Sequence, residues 1–223
     1  LLYAATRYAA RVKAYYVSTA FQPEFELEDA RRLADELGAD MLVLHVDVLS
    51  NSAVTANPSD RCYHCKNTLF RQILRAAEND GFPVLLDGTN ASDDAGDRPG
   101  MRALRELSVR SPLRECGLTK AEIRRLSKEA GLFTWDKPAY ACLSTRIRTG
   151  EEITLQKLKQ TEKAEGFLFG LGFRDFRVRM VDNTAKLELR ETDLPLLLEN
   201  REKIVTELRK DYDSVLLNLE VRK

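Results

Sequence analysis

The chain has no long apolar run, no excess of either charge, and little cysteine or histidine. No stretch of the 223 residues approaches the ~20 consecutive apolar residues that a membrane-spanning helix needs, so we predict no membrane segment and no membrane partner. Lys and Arg together number 35, and so do Asp and Glu, giving a formal net charge of +0. This balance disfavours a role in binding long nucleic acids, which depends on neutralising phosphates. Four cysteines are too few for a disulfide scaffold, and they favour metal or redox chemistry in a reducing compartment, the cytoplasm.

The first part of the chain alternates between strand-like and helix-like segments. Strands are predicted at 13–19, 41–48, 82–87 and 109–113, and helices at 1–12, 26–37, 59–79 and 119–130. Repeated alternation of this kind predicts an α/β fold with a parallel sheet covered by helices. In such sheets ligands gather at the carboxyl ends of the strands, so we expect functional loops after the strands.

The pattern changes after residue 148. A helix at 151–170, a hairpin of strands at 175–180 and 185–190, a helix at 194–212 and a strand at 214–221 are predicted. This order predicts a small α+β domain, so the expected domains are 1–148 and 149–223. The second is a candidate for substrate binding and for assembly into a homo-oligomer.

Two cysteines three positions apart, Cys62 and Cys65, lie near the predicted start of a helix. The helix N-terminus and two neighbouring basic residues favour their thiolates. Two thiolates do not complete a tetrahedral zinc or iron–sulfur site. Cys142, Cys116 and His64 are the candidates for a third ligand. The alternative is a pair of cysteines with no role beyond the helix itself.

A polar loop follows the predicted strand 82–87 and is a candidate nucleotide site. Gly88 allows close backbone approach, while Thr89 and Asn90 can hydrogen-bond a nucleotide or its phosphates. The acidic side chains, which include Asp87 and Asp94, can hold Mg²⁺ bound to phosphate oxygens. An ordinary polar turn is the alternative interpretation.

Arg177 and Arg179 lie two positions apart on a predicted strand. Side chains at this spacing project from the same face, where two guanidinium groups can grip one phosphate or carboxylate. A solvated face of an edge strand is the alternative.

Five segments in order along the chain resemble the LarE family, which are ATP-dependent sulfur transferases of the PP-loop superfamily. They are ANPSDRCYHCK (56–66), DGTNASDDAGDRPG (87–100), VRSPL with GLTKAEIRRLSKEAGL (109–132), WDKPAYACLSTRI (135–147) and FRVR (176–179). The resemblance implies that the first domain is a PP-loop ATPase-like domain.

The resemblance also implies an activity. Family members thiolate pyridinium-3,5-biscarboxylic acid mononucleotide on the route to the nickel-pincer cofactor of lactate racemase. ATP with Mg²⁺ adenylates the substrate carboxylate, and a sulfur donor then displaces AMP. By the same resemblance Arg177 and Arg179 bind the substrate phosphate, and Glu165 is a further candidate for that pocket.

Cys62, Cys65 and Cys142 match family members in which three thiolates hold a [4Fe-4S] cluster. The fourth iron then binds a labile sulfide delivered by a sulfide donor, and Cys142 is the expected catalytic residue. Three alternatives remain. Some family members sacrifice a cysteine as the sulfur donor, some related enzymes thiolate tRNA, and a structural zinc module would have no enzymatic activity.

The sequence departs from the family at one place. The PP-loop signature SGGxDS, which cradles ATP phosphates at a helix N-terminus, is absent from the 223 residues. Leu1 falls where the helix after that loop would begin, so we expect the first domain to lack its first strand and PP-loop. These residues alone are therefore expected to bind ATP poorly, and turnover is expected to need a full-length protein.

Overall fold

The computed structural model describes residues 1–93 and 99–222, which form two compact units. The first unit comprises Leu1–Val54 and Pro58–Lys137, and the second comprises Thr55–Asn57 and the described chain from Pro138 onward. Helices combined with a small parallel sheet agree with the predicted α/β class. The units divide after Lys137, whereas the sequence pattern places the boundary after Arg148, so the segment carrying Cys142 groups with the second unit.

The first unit follows the predicted alternation of strands and helices in its first half. Up to the gap at 94–98, the elements are α1 (Leu2–Tyr8), β1 (Ala14–Ser18), α2 (Glu24–Leu37), β2 (Met41–His45), α3 (Ser52–Thr55, ending in the second unit) and α4 (Arg61–Asn79). Strands β1 and β2 pair in parallel, with Ala14 opposite Met41 and Ser18 opposite His45. Helix α2 makes the crossover that a parallel pair requires.

The strands predicted at 82–87 and 109–113 are largely absent. Within the described chain these segments form a single parallel bridge between Leu86 and Arg110. Pro83 has no backbone N–H to donate to a ladder, and Val84 is 55% exposed, so this segment lacks the burial that stabilises a central strand. The bridge still places the ends of the two segments side by side.

The second half of the first unit contains α5 (Pro99–Glu106), α6 (Pro112–Glu115) and α7 (Lys120–Glu129). Helix α5 was not predicted, because a polar, glycine-containing segment precedes it, yet Pro99 at its first position suits a helix start. Helix α7 confirms its predicted capping box between Thr119 and Glu122. Gly131 follows it in the left-handed region, with φ of 71°.

The second unit has the predicted α-β-β-α-β order. Its elements are α8 (Leu155–Gly170), β3 (Arg177–Val181), β4 (Thr184–Glu188), α9 (Leu194–Glu199), α10 (Arg201–Leu208) and β5 (Ser214–Leu217). Strands β3 and β4 form the predicted antiparallel hairpin, and β5 pairs in parallel with β4. The helix predicted at 194–212 is interrupted at Asn200, whose φ of −102° and ψ of 10° depart from helical values.

The core of the second unit is apolar and joins α8, the hairpin and α10. On β3, Val178 and Met180 are buried in this core, with 0% and 2% exposure. Because side chains alternate along a strand, Arg177 and Arg179 lie on the opposite face.

No helix among the described residues is long and apolar enough to cross a membrane.

Candidate functional site

The loop after Leu86 is organised around the Asp87 carboxylate. It accepts hydrogen bonds from the Thr89 hydroxyl at 2.5 Å, from the Thr89 amide at 3.3 Å and from the Ser111 hydroxyl at 2.6 Å. Ser111 directly follows the bridge residue Arg110, so the loops after two neighbouring parallel segments are tied together. This is where an α/β sheet is expected to present binding groups.

Asn90 and Asp93 close the remainder of this loop. The Asn90 backbone N–H donates to the Asp93 carboxylate at 2.9 Å, and the Asn90 side chain accepts from the Ser92 amide at 3.0 Å. Arg114 donates to the Asp93 carbonyl at 2.9 Å. Asp94, predicted as a nucleotide ligand, lies outside the described residues.

A cavity of about 280 Å³ opens beside this loop. Its lining comes from three places in the chain: Ser59, Cys62 and Lys66; Thr89 and Asp93; and Pro99, Gly100 and Met101. Small-molecule sites begin at roughly 300 Å³, so the cavity is close to that lower bound. The structure therefore brings one thiol of the predicted metal pair and one residue of the predicted nucleotide loop to the same cavity.

A second, larger cavity of about 580 Å³ ends at Asp87 and Gly88. Its walls are mostly apolar and come from α1, β1, α4 and residues 82–88. A Cβ added to Gly88 would meet no atom within 4 Å, so the close approach of a ligand to this glycine stays a prediction. The apolar walls suit phosphate groups poorly.

Cys62 and Cys65 lie in the first turns of α4, one turn apart, and neither forms a disulfide. Cys62 is exposed and Cys65 is half-buried. The guanidinium of the buried Arg61 lies 3.9 Å from the Cys62 sulfur. His64 instead faces Asp60, at 3.4 Å, across one turn of the helix. A cation beside the first thiol agrees with the sequence, whereas the ease of thiolate formation stays a prediction.

Arg179 is committed to contacts within the second unit. Its Nε donates to the Glu188 carboxylate at 2.7 Å, and its Nη1 donates to the Thr145 carbonyl at 2.8 Å. The predicted phosphate ligand is thus also a contact to the segment that carries Cys142.

The guanidinium of Arg177, in contrast, forms no hydrogen bond or ion pair with the described residues, although the charge of Glu188 attracts it at longer range. Burial lowers the pKa of Arg177, and the positive charges of Arg222, Arg146 and Arg179 add to this effect. A guanidinium remains charged at any ordinary pH, so the physical meaning is a local excess of positive potential. An anion placed there would relieve it.

Glu165 is fully enclosed, at 1% exposure, with every acceptor position used. Its Oε1 accepts from the Arg146 Nε at 2.7 Å and from the Val178 backbone N–H at 2.9 Å. Its Oε2 accepts from the Arg146 Nη2 at 3.0 Å and from the Tyr140 hydroxyl. The predicted substrate ligand is therefore the acceptor at the centre of a buried network.

Cys142 is half-buried and directly precedes the short 3₁₀ helix Leu143–Arg146. Its sulfur lies 3.0 Å from the hydroxyl of Ser144, which is 0% exposed. The thiol is thus held at a defined position beside a hydroxyl.

The donor set suits an iron–sulfur cluster in kind, because Cys62, Cys65 and Cys142 are cysteines that form no disulfide. Neither unit, within its described residues, gathers three His, Cys, Asp or Glu side chains that could hold a metal ion by themselves. The three thiols come from both units, two from the first and one from the second. Mg²⁺ needs fewer protein ligands than a cluster, since one or two carboxylates plus substrate phosphates are sufficient.

The sequence reading missed the roles of Ser111 and Arg146. The position of Ser111 after a predicted strand could have indicated its role, because the loops that follow neighbouring parallel strands meet at the same edge of the sheet. Arg146 gave no signal, since its partner Glu165 lies 19 residues away and only folding pairs them.

Three relatives align with much of the chain, whereas no family model matches it. The uncharacterized protein slr1717 of Synechocystis sp. is 42% identical over 173 residues, 78% of this chain and 64% of the relative. The pyridinium-3,5-bisthiocarboxylic acid mononucleotide synthase of Lactiplantibacillus plantarum is 35% identical over 166 residues, 74% of this chain and 60% of the relative. The uncharacterized protein MJ0830 of Methanocaldococcus jannaschii is 31% identical over 208 residues, 92% of this chain and 79% of the relative.

The chain thus spans less than two thirds of the length of the first two relatives and about four fifths of the third. At 31% identity and with 79% of MJ0830 covered, the chain belongs to the same family as that protein, and it is also similar to the mononucleotide synthase.

Proposed function

We propose that the protein is an ATP-dependent sulfur transferase that thiolates the carboxylates of pyridinium-3,5-biscarboxylic acid mononucleotide. Its similarity to a synthase of the corresponding bisthiocarboxylic acid supports the substrate class. One structural observation carries the proposal furthest: Cys62, Lys66 and Thr89 line a common cavity. A thiol, a cation and a predicted nucleotide loop are the groups that activation and sulfur delivery need in one place.

The chemistry follows from the need to activate a carboxylate. A substrate carboxylate oxygen attacks the α-phosphorus of ATP, and pyrophosphate leaves. The acyl adenylate so formed has an electrophilic carbonyl carbon. A sulfur nucleophile attacks this carbon, and AMP leaves with the C–O electron pair, which yields the thiocarboxylate. Lys66 is placed to offset negative charge on the phosphates, with Mg²⁺ held by phosphate oxygens and an acidic residue of the loop.

Arg177 is the proposed ligand for the substrate phosphate. Its guanidinium forms no hydrogen bond or ion pair with the described residues, and the positive charges of Arg222, Arg146 and Arg179 act on it more strongly than the negative charge of Glu188. A phosphate dianion can accept a two-point contact from its guanidinium. Arg179 contributes to the same positive face while keeping its contacts to Glu188 and Thr145.

Cys62, Cys65 and Cys142 are the proposed ligands of a [4Fe-4S] cluster. Three thiolates would leave one iron without a protein ligand, and sulfide from the donor would bind there and serve as the nucleophile. The protein holds Cys142 beside Ser144 and Cys62 beside Arg61, so both thiols are oriented by neighbouring side chains.

Thiolation is tested by incubating the anaerobically purified full-length protein, which is expected to be needed for turnover, with ATP, Mg²⁺, sulfide and the dicarboxylate mononucleotide. Mass spectrometry detects exchange of carboxylate oxygen for sulfur. We expect product that requires ATP, and loss of product in separate Cys62→Ser, Cys65→Ser and Cys142→Ser variants. Cys116→Ser is the matched control, since Cys116 is a free, exposed thiol outside the proposed set.

Metal analysis of the same samples separates the mechanisms. Iron with acid-labile sulfide supports the cluster, and its loss is expected in the three cysteine variants but not in Cys116→Ser. Protein that transfers sulfur without iron, with Cys142 converted to dehydroalanine, would support the sacrificial route instead. A single bound zinc without turnover would contradict both routes.

A further inference from the structure

The segment that carries Cys142 is fixed from both sides by one buried guanidinium. Arg146 is 1% exposed, and its Nη1 donates to the Ala141 carbonyl at 3.1 Å and to the Thr145 hydroxyl at 2.9 Å. Ala141 precedes Cys142 and Thr145 follows it. The single side chain therefore contacts the backbone before the thiol and a side-chain hydroxyl after it.

The remaining nitrogens of this guanidinium are held by Glu165. Two parallel contacts, from Nε to Oε1 and from Nη2 to Oε2, set the plane of the Arg146 group. Tyr140 adds a third element, because its ring faces the guanidinium at 4.8 Å and its hydroxyl donates to Glu165. Helix α8 thus anchors both ends of the segment through one carboxylate.

Glu165 has no acceptor capacity left for a substrate. A carboxylate offers about four lone-pair positions, and four donors from Arg146, Val178 and Tyr140 occupy them. A buried ion pair often stabilises a protein no more than apolar residues of similar volume would, so stability alone does not account for this pair. Its geometry points to another role.

We infer that Glu165 and Arg146 are positioning residues that hold the backbone around Cys142, and that Glu165 does not bind substrate. The importance of Cys142 for sulfur transfer rests on the proposed function. The clamp itself is a property of the second unit and is tested without turnover.

The test measures the accessibility of the Cys142 thiol. Wild-type protein and Glu165→Gln are exposed to iodoacetamide at fixed pH, and the alkylation rate at each cysteine is followed by peptide mass spectrometry. The Gln amide places an N–H group where a donor already points, so the clamp opens. We expect Cys142 to react at least about tenfold faster, because local opening exposes it, while Cys116 in the first unit reacts at an unchanged rate.

Two further variants keep the test decisive if Glu165→Gln fails to fold. Tyr140→Phe removes one donor to the carboxylate and should accelerate alkylation of Cys142 by a smaller factor. Arg146→Lys keeps the charge beside Glu165 but loses the fork to Ala141 and Thr145, so it should also expose Cys142. Glu202→Gln, on the exposed face of α10, is the matched control and should leave the rate unchanged.

Binding of nicotinic acid mononucleotide distinguishes a positioning role from a ligand role. This probe carries a pyridinium ring, a carboxylate and a phosphate, and calorimetry measures its affinity. We expect Glu165→Gln to bind it as the wild type does while Cys142 reacts faster. A folded Glu165→Gln with unchanged Cys142 alkylation would overturn the inference, and so would a loss of affinity without faster alkylation. If the probe fails to bind even the wild type, the proposed substrate class is wrong, and the alkylation rates still decide the inference.

Discussion

Removing Glu165 altogether should strongly destabilise the second unit. In Glu165→Ala the guanidinium of Arg146 stays 1% exposed without its counter-charge, and the Val178 amide and the Tyr140 hydroxyl lose their acceptor. Burial by itself lowers the pKa of Arg146, yet the hydrogen bonds and charge of Glu165 raise it overall. The carboxylate therefore offsets the desolvation cost of burying the guanidinium. Breaking one partner of a buried pair typically costs about 3–5 kcal/mol.

Urea unfolding followed by circular dichroism measures this change, with hydrogen exchange of α8 and β3 locating it in the second unit. Glu36→Ala is the control, because the Arg32–Glu36 pair in α2 is exposed and should contribute about 0.3–0.5 kcal/mol. The double variant Glu165→Leu with Arg146→Met should recover much of the loss, since no unpaired charge remains buried. A Glu165→Ala variant within about 1 kcal/mol of the wild type would refute the assignment of a buried, mutually dependent pair.

Three other measurements test separate parts of the structure. Arg177→Ala should weaken binding of inorganic phosphate and of nicotinic acid mononucleotide by calorimetry, and unchanged affinities would remove Arg177 from the phosphate site. Thr119→Ala removes the α7 cap and should lower the free energy of unfolding by about 1 kcal/mol. Thr119→Ser keeps a hydroxyl at the cap and should lose much less. Burial, with the hydrogen bond to Asp80, raises the pKa of Tyr15 to about 12, so its contribution to stability is present below pH 10 and is lost as the pH rises towards 12. Between pH 10 and 12 the urea midpoint should fall less steeply with pH in Tyr15→Phe than in the wild type. Equal dependence on pH in the two proteins would contradict this role of Tyr15.

Local signals in the sequence predicted the elements whose stability is local. The capping box of α7 and the hairpin between β3 and β4 were both found this way. The strand at 82–87 was overpredicted, because its apolar residues gave a strand pattern whereas its pairing depended on burial that the described chain does not supply. The break at Asn200 was missed, because apolar periodicity does not reveal a departure of one residue from helical backbone angles.

In the candidate site, too, some relations between residues could be predicted from the sequence and others depended on the tertiary structure. Residue types and spacing alone placed Cys62 and Cys65 on one helix and Arg177 and Arg179 on one face of a strand, because both relations are set by the period of a single element. Only the tertiary structure brought Cys62 to the cavity lined by Thr89, since the two lie on elements far apart in sequence.

Tertiary packing also decided what Glu165 does. As an isolated glutamate on a helix it was indistinguishable from a substrate ligand, whereas in the fold four donors from three residues make it a buried anchor. Period and propensity act over a few residues and are readable from the sequence, whereas a satisfied buried charge depends on every group that surrounds it, which only the folded chain assembles.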